Sequence, residues 1–297
     1  MLCHYYITWR CNDTCEFCSC WQNEEAANKI EEKPLNLQPL HQAGIKTLNI
    51  TGGEPLLSPH LVSILKQAKD LGFITRLTTN GLEYAIKAKD LAGLISELYF
   101  SLDYPNAEMH NRSRGIECFN QVIESIKQAR ELGEKPIIEF TLTRDSVLYL
   151  PEMVDLAEQL GVLLHLNLVY DFHGTQGFAA DTFSYIRYYG KKKNVLLNLA
   201  ALEFACQGGN KVLWPRCKAQ ETTVTYLPNG ERVRPCFFNQ KGRQGREDIC
   251  SGCLRWPYLE PSLAIGFDRY YWLALWSKYL NQKKLNGKLS TLWNTIF

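Results

Sequence analysis

The sequence predicts an α/β protein: a partial (β/α)6 TIM-like barrel, then a small cysteine-rich β-hairpin domain and a C-terminal helix. Two observations carry this prediction. Six strand-like stretches alternate with helix-like stretches over roughly the first 170 residues, which is typical of parallel strands joined by crossover helices. A hairpin pattern flanked by cysteines follows later in the chain. The alternation alone fits either an open partial barrel or a doubly wound sheet, and the choice of the barrel follows from the family resemblance given below.

The six strand candidates are short runs rich in β-branched and aromatic residues. In chain order they are YYITW, TLNIT, ITRLTT, ELYFSLD, PIIEFTLT and LLHLNLVY. Amphipathic patterns lie between them. In SPHLVSILKQAKDLG the apolar residues recur at helical spacing, and Gly72 is placed to end the helix. The same design recurs in NQVIESIKQARELG and YLPEMVDLAEQLG, so the β/α unit repeats along the chain.

The pattern changes after Tyr170. DFHGTQGFAADTF is loop-like, KKKNVLLNLAALEFA indicates a helix, and TTVTYLPNGERVRPC indicates a hairpin that turns at PNG. We therefore predict four parts: a barrel core at 1–172, a connecting loop and helix at 173–205, a cysteine-rich domain at 206–258 and a helical tail at 259–297.

The composition is that of an ordinary globular protein, with 45% hydrophobic residues, 22% charged residues and a net charge of +2. We therefore expect no nucleic acid or other polyanionic partner. The sequence has no apolar run of about 18 residues and no secretory signal pattern, so we expect a cytoplasmic protein. The aromatic tail has two open interpretations: a helix that packs on the barrel, or a surface that contacts a membrane or a partner.

Cysteine is the unusual component, with eleven residues. In a chain without an export signal, clustered thiols more often bind metal or do redox chemistry than form disulfides. Cys11, Cys15 and Cys18 have the spacing C-x3-C-x2-C and follow the first predicted strand, at the end where β/α folds build active sites. Three thiolates would leave one iron of a cubane cluster open. A zinc site with Cys20 as fourth ligand is the alternative; otherwise Cys20 is left over.

A second motif ends the second predicted strand, in TLNITGGEPLL. Gly52 and Gly53 allow the backbone to approach a ligand closely. Glu54 then supplies a carboxylate beside them. Alone, this GGE would more often be an ordinary turn. One β/α unit after the cysteine loop, it indicates a shared site.

The two motifs, C-x3-C-x-F-C and GGEP, together resemble the radical S-adenosylmethionine (SAM) superfamily. TTNG at 78–81, SLD at 101–103 and HNRSRG at 110–115 extend the resemblance. It implies that the three cysteines ligate a [4Fe-4S] cluster whose fourth iron binds SAM. It also implies further SAM contacts: Gly52, Gly53 and Glu54 at the amino group, Ser101 and Arg114 at the carboxylate or ribose, and Asn80 and Asp103 along the cavity.

The resemblance also implies the chemistry. An external electron donor such as flavodoxin or ferredoxin would reduce the cluster. One electron would then split SAM into methionine and a 5′-deoxyadenosyl radical, which abstracts a hydrogen atom from a substrate.

A second set of cysteines follows in the hairpin region: Cys217, Cys236, Cys250 and Cys253. A zinc ribbon is one interpretation. After a radical SAM core, the pattern resembles the auxiliary-cluster domain called Twitch, a short form of SPASM. This resemblance implies one auxiliary [4Fe-4S] cluster with four thiolate ligands. Cys206, in FACQGGN, is a further candidate as a hydrogen-atom donor.

Two substrate classes remain open. We predict a ribosomally made peptide that is oxidised, cross-linked or epimerised, recruited without a leader-binding domain before residue 4. A small molecule that is dehydrogenated or rearranged is the alternative. A zinc or iron–sulfur scaffold without enzyme activity is disfavoured, because GGEP would have no purpose there.

Overall fold

We describe the protein from a computed structural model, which covers residues 2–18, 20–22, 31–168, 178–210, 216–233 and 253–286. The chain divides into two compact units. The first comprises residues 1–140, 159–162 and 223–234, and the second comprises residues 141–158, 163–222 and 235–297. The four-part division expected from the sequence stays a prediction.

The strands, in chain order, are β1 (Leu2–Thr8), β2 (Thr47–Gly52), β3 (Ile74–Thr79), β4 (Glu97–Ser101), β5 (Ile137–Leu142), β6 (Leu163–Leu168), β7 (Val195–Leu197), β8 (Thr223–Tyr226) and β9 (Arg232–Val233). The α-helices are α1 (Gln38–Gln42), α2 (Leu61–Asp70), α3 (Tyr84–Leu91), α4 (Ala107–Arg114), α5 (Phe119–Glu131), α6 (Leu150–Leu160), α7 (Ala180–Tyr189), α8 (Leu199–Cys206), α9 (Ala219–Thr222), α10 (Trp256–Ile265) and α11 (Arg269–Asn286). All six predicted strands are present.

The first unit contains a mostly parallel sheet. Strands β1 to β5 pair in parallel with their neighbours in chain order. Helices α2, α3 and α5 lie in the connections between these strands. This order of parallel strands and crossover helices confirms the predicted α/β class.

The two faces of this sheet differ in chemistry, because successive strand side chains point to opposite faces. One face is apolar and buried, as at Ile50, Leu77 and Phe100. Helices α2 and α5, which contact β3 and β4, contribute their own apolar faces to the core. The opposite face carries half-buried polar side chains, of which Asn49, Arg76 and Glu97 form one row across three strands.

The predicted hairpin is present, and it lies in the first unit. β8 and β9 pair antiparallel, as the PNG turn predicts. β8 also pairs in parallel with β1, which places the hairpin in the first unit. An edge strand offers unpaired backbone groups, and β8 satisfies those of β1. The sequence analysis placed the hairpin in the cysteine-rich domain because cysteines flank it. Cysteine spacing carries no information on which strand the hairpin pairs with.

The second unit contains β6 and β7, which pair in parallel, and helices α7 to α11. The predicted helix in KKKNVLLNLAALEFA is wrong in its first half, where Val195–Leu197 form β7. Asn198 then caps α8, its side chain accepting the N–H groups of Ala200 and Ala201.

The tail forms two helices, α10 and α11, where one was expected. They pack with α8 around a buried cluster of Ala200, Phe204, Leu259, Leu263, Tyr270 and Ala274. The sequence pattern favours a packed face that includes Trp272 and Trp276, but both side chains are exposed. Within the described ranges, no helix combines the length and apolar character needed to cross a membrane.

Candidate functional site

The loop after β1 carries the first three cysteines. Cys15 is buried, and Cys11 and Cys18 are half-buried. The Cys18 N–H donates to the Cys15 carbonyl at 3.1 Å, and the Trp21 indole donates to the same carbonyl at 3.1 Å. The last two cysteines of the motif therefore share one tight turn.

Gly52 and Gly53 hold the end of β2 against the backbone that leads into this loop. The Gly53 N–H donates to the Thr8 carbonyl at 2.8 Å, and the Glu54 N–H donates to the Arg10 carbonyl at 2.7 Å. An added Cβ would lie 2.1 Å from the Arg10 carbonyl oxygen at Gly53, and 2.2 Å from the Thr8 carbonyl oxygen at Gly52. Both glycines therefore serve packing, whereas the sequence indicated only a ligand contact.

Glu54 links the ends of β2 and β3 through hydrogen bonds. Its side chain accepts hydrogen bonds from the Leu56 N–H at 2.9 Å, the Thr79 hydroxyl at 2.7 Å and the Asn80 N–H at 2.7 Å. Burial raises its pKa to about 7, against the effect of these three donors. Its contact with the SAM amino group stays a prediction, and its carboxylate is occupied by protein donors.

Asn80 links these strand ends to the cysteine loop, because its side-chain amide donates a hydrogen bond to Asn12 Oδ1 at 2.8 Å. Ser101 is the last residue of β4 and is half-buried. The carboxyl ends of parallel strands meet at one edge of a sheet. Asn80 and Ser101 therefore share the edge at which the cysteine loop begins.

Arg114 ends α4 and is buried beside the cysteines. Its guanidinium forms an ion pair with Asp103. Arg114 Nη1 lies 3.6 Å from Asp13 Oδ2 and 3.5 Å from Cys15 Sγ, and the guanidinium carbon lies 5.5 Å from the centre of the Phe17 ring. The structure thus brings two predicted SAM-contacting residues, Asp103 and Arg114, together with the cysteine loop.

Asn12, Asp13 and His110 were missed at the sequence level. Buried His110 accepts the Asp103 N–H on Nδ1 at 3.2 Å, so its proton lies on Nε2, which has no hydrogen-bond partner within the described part of the chain. Burial and the Arg114 charge lower the His110 pKa to about 3. Asn12 and Asp13 fill variable positions of C-x3-C, and His110 opens the HNRSRG motif, of which only Arg114 is a predicted site residue.

The thiols of the first motif differ in their pKa. Burial raises the pKa of Cys11 and of Cys15 to about 12. Hydrogen bonds from Cys20 lower the pKa of Cys18 to about 6. Cys20, which is not part of the C-x3-C-x2-C motif, therefore contacts Cys18 of that motif.

The second set of cysteines is only partly described. Cys217 and Cys253 lie in the second unit, and Cys236 and Cys250 lie outside the described residues. Half-buried Cys217 packs against the apolar cluster of α8, α10 and α11. Cys206 is exposed at the end of α8. Ligation by these four thiols and hydrogen donation by Cys206 stay predictions.

The first motif fits a cubane cluster by the chemistry of its donors. In the residues that the structure covers, no three His, Cys, Asp or Glu side chains surround one metal-ion position. A cubane cluster does not need three side chains around one metal ion, because each thiolate ligates its own iron. Three soft donors lie on one loop. Two buried atoms, Asp13 Oδ1 and Arg114 Nε, have no hydrogen-bond partner among the described residues. One acceptor and one donor beside the thiols are therefore available for a further hydrogen bond.

A family model described as the Radical SAM superfamily matches residues 5–144. Two curated relatives are named "Probable GTP 3′,8-cyclase". The relative from Sulfurisphaera tokodaii is 30% identical over 190 residues, 60% of this chain and 58% of the relative. The relative from Saccharolobus islandicus (strain M.14.25) is 34% identical over 164 residues, 52% of each chain. The chain thus spans about half the length of the curated relatives it matches.

Solved structures share the fold. Streptococcus suis SuiB bound to S-adenosylmethionine matches with a TM-score of 0.62 and 19% identity, over 86% of this chain and 63% of SuiB. The protein anSMEcpe with bound AdoMet matches with a TM-score of 0.57 and 15% identity, over 93% of this chain and 82% of that chain. At these identities the likeness shows the fold alone.

The comparisons overturn one prediction. The sequence favoured a ribosomally made peptide as substrate, whereas the curated relatives are named for GTP, a small molecule. The peptide prediction is wrong. It rested on how common peptide substrates are in the wider group, and no residue of this chain supported it.

Proposed function

We propose that this chain, whose residues 5–144 match the Radical SAM superfamily model, is an iron–sulfur enzyme that cleaves SAM and acts on a small polar molecule. One observation carries the proposal. The cysteine loop is fixed against the GGE loop by backbone hydrogen bonds that only glycines permit at these positions. Two motifs that are distant in sequence therefore form one site.

The residues have separate tasks in this proposal. Cys11, Cys15 and Cys18 would hold the cluster, and the backbone of Gly52 and Gly53 would face SAM. When bound and reduced, the cluster held by these cysteines would supply the electron that splits SAM into methionine and a 5′-deoxyadenosyl radical. Glu54 holds the loops in register through its three protein donors and so preorganises the site.

The polar face of the sheet supports a small polar substrate. Arg76 pairs with Glu97 at 2.8 Å, and the Tyr99 hydroxyl donates to Glu97 at 2.8 Å. Asn49 contacts the His4 ring at 3.1 Å in the same row. These half-buried groups offer donors and acceptors that a nucleotide or a sugar can use. The names of the curated relatives make GTP the first compound to test.

An auxiliary [4Fe-4S] cluster at Cys217, Cys236, Cys250 and Cys253 is part of the proposal. A cluster with four thiolates has no open iron, which favours electron transfer over substrate binding. An external one-electron donor would reduce the first cluster.

Anaerobic reconstitution tests the proposal directly. We expect about eight irons per chain and release of 5′-deoxyadenosine when dithionite and SAM are added. Bound zinc in place of iron would contradict the proposal. Release that survives the triple change of Cys11, Cys15 and Cys18 to alanine would contradict the site assignment.

A second assay tests the substrate class. GTP, other nucleotides and a set of peptides are added separately, and the release of 5′-deoxyadenosine is measured for each. We expect a nucleotide to stimulate release and Arg76→Gln to raise the KM for it. Stimulation by peptides alone would contradict a small-molecule substrate.

A further inference from the structure

Arg114 presents a fixed positive charge to one cysteine of the first motif. Its Nη2 pairs with Asp103, and its Nη1 lies 3.5 Å from Cys15 Sγ and 3.6 Å from Asp13 Oδ2. The Arg114 side chain is 7% exposed and that of Asp13 is 1% exposed. Because water is largely excluded, neither charge is strongly screened.

The backbone fixes this geometry as firmly as the side chains do. The Thr14 N–H donates to the Arg114 carbonyl at 3.1 Å, and the Glu16 N–H donates to the Ser113 carbonyl at 3.2 Å. Gly115 ends α4 in the left-handed region, and an added Cβ there would lie 2.1 Å from the Thr14 hydroxyl oxygen. The last turn of α4 is therefore held directly against the cysteine loop.

A guanidinium in this position acts on the electronics of a bound cluster. Hydrogen bonds and positive charge at a ligating sulfur stabilise the more negative, reduced state, which raises the reduction potential. A carboxylate at the same sulfur has the opposite effect. Cys15 faces a group of each sign, because Arg114 donates to its Sγ and its own thiol donates to Asp13 Oδ2 at 3.7 Å. Both Nη atoms of Arg114 are engaged by protein atoms.

We propose that Arg114 and Asp13 are positioning residues that set the reduction potential of the SAM-binding cluster through Cys15, Arg114 raising it and Asp13 lowering it. The proposal rests on the proposed function, because it needs a cluster at Cys11, Cys15 and Cys18. It gives Arg114 an electronic role that does not depend on contact with SAM.

The test is a redox titration without SAM, followed by electron paramagnetic resonance. The chain carries Cys217→Ala and Cys253→Ala, so that the auxiliary cluster gives no signal, and the titration is repeated on the full chain. We expect Arg114→Gln to lower the equilibrium constant for reduction about tenfold, or about 59 mV for one electron. Asp13→Asn should move the potential in the opposite direction.

Three further variants distinguish an effect on the cluster potential from an effect on folding. Arg114→Gln combined with Asp103→Asn removes both charges of the Arg114–Asp103 pair, so the Asp103 carboxylate is not left buried without its partner. Arg114→Lys keeps the charge and should recover part of the shift. Lys127→Gln removes a positive charge from an exposed ion pair with Glu124 on α5 and should leave the potential unchanged.

The outcomes distinguish the two proposals. A wild-type chain that takes up no iron would overturn the proposed function. A wild-type chain that holds the cluster, with unchanged potentials in Asp13→Asn and in the Arg114→Gln/Asp103→Asn double variant, would overturn this inference alone. Opposite shifts in Arg114→Gln and Asp13→Asn support it.

Discussion

The described cysteines of the two sets have different surroundings. In the first unit, the cysteine loop is fixed by hydrogen bonds to the ends of β1, β2 and α4. In the second unit, Cys217 packs against an apolar cluster of three helices, and the Cys253 carbonyl accepts the Asn210 N–H at 3.0 Å. Backbone hydrogen bonds set an orientation, whereas apolar contact is non-directional. In the proposed enzyme, a site that presents an open iron to SAM would need the first arrangement, and an auxiliary cluster that only transfers electrons would need less.

Removing thiols from each set tests this contrast most strongly. Cys15→Ala should abolish 5′-deoxyadenosine release, because a motif ligand is lost. Cys217→Ala should lower iron from about eight to about four per chain while SAM cleavage continues. Cys118→Ala, which removes a buried thiol outside both sets, should leave the iron content unchanged. Equal loss of SAM cleavage in Cys15→Ala and Cys217→Ala would show that the two sets act as one site.

Gly53→Ala tests whether close backbone approach holds the cysteine loop. The added Cβ would meet the Arg10 carbonyl oxygen at 2.1 Å, so we expect a loss of about 3 kcal/mol in the free energy of unfolding. Gly266→Ala is the control, because open space surrounds that position and its φ is an ordinary −94°; a change of up to about 1 kcal/mol is expected. Urea denaturation measures both. Similar losses in the two variants would argue against the close contact.

Glu54→Ala tests the tie between β2 and β3. Three donors would lose their acceptor in a buried place, which should cost about 3 kcal/mol. Glu54→Gln keeps one acceptor oxygen and should cost about half as much. Glu134, which accepts the Gly93 N–H at an exposed site, gives the control Glu134→Ala, with little change in stability. A nearly neutral Glu54→Ala, measured by the same denaturation, would favour a role in SAM contact only.

The sequence predicts that the first two motifs lie side by side, because each motif is local. C-x3-C-x2-C follows β1 and GGE begins at the last residue of β2, and parallel order brings strand ends together. The residues between the parts were not predictable in the same way. Asp13 gains its role from Arg114, which is distant in sequence, and a single sequence does not record such a contact. His110 lies only seven residues after Asp103, so its contact is local.

The second region was harder to predict for a different physical reason. The sequence correctly indicates a hairpin at PNG, but strand pairing depends on which edge is open, and β8 joins β1. In the tail, aromatic residues at helical spacing indicated a packed face, yet Trp272 and Trp276 are exposed while Tyr270 and Ala274 are buried. Apolar pattern alone does not decide which side of an aromatic helix meets its neighbours.

His110→Asn is expected to give the smallest effect. It tests the buried polar contact between His110 and Asp103 through the pH dependence of the free energy of unfolding. The folded pKa of His110 is about 3, whereas an unperturbed histidine titrates near 6.5. Between these values the unfolded chain binds one more proton than the folded chain. The free energy of unfolding therefore falls as pH falls, by about 1.4 kcal/mol per pH unit from this residue.

The asparagine oxygen can replace Nδ1 as acceptor for the Asp103 N–H and does not titrate. His110→Asn should therefore show a flatter decline in stability between pH 6.5 and pH 5, measured by urea denaturation of the iron-free chain. Phe119→Leu trims the ring that contacts His110 edge-on at 6.0 Å and keeps the histidine, so it should lower stability equally at every pH. Parallel pH curves for His110→Asn and the wild type would show that His110 titrates in the folded chain as it does in the unfolded one, and the cysteine loop would then have a wetter surrounding than its buried contacts indicate.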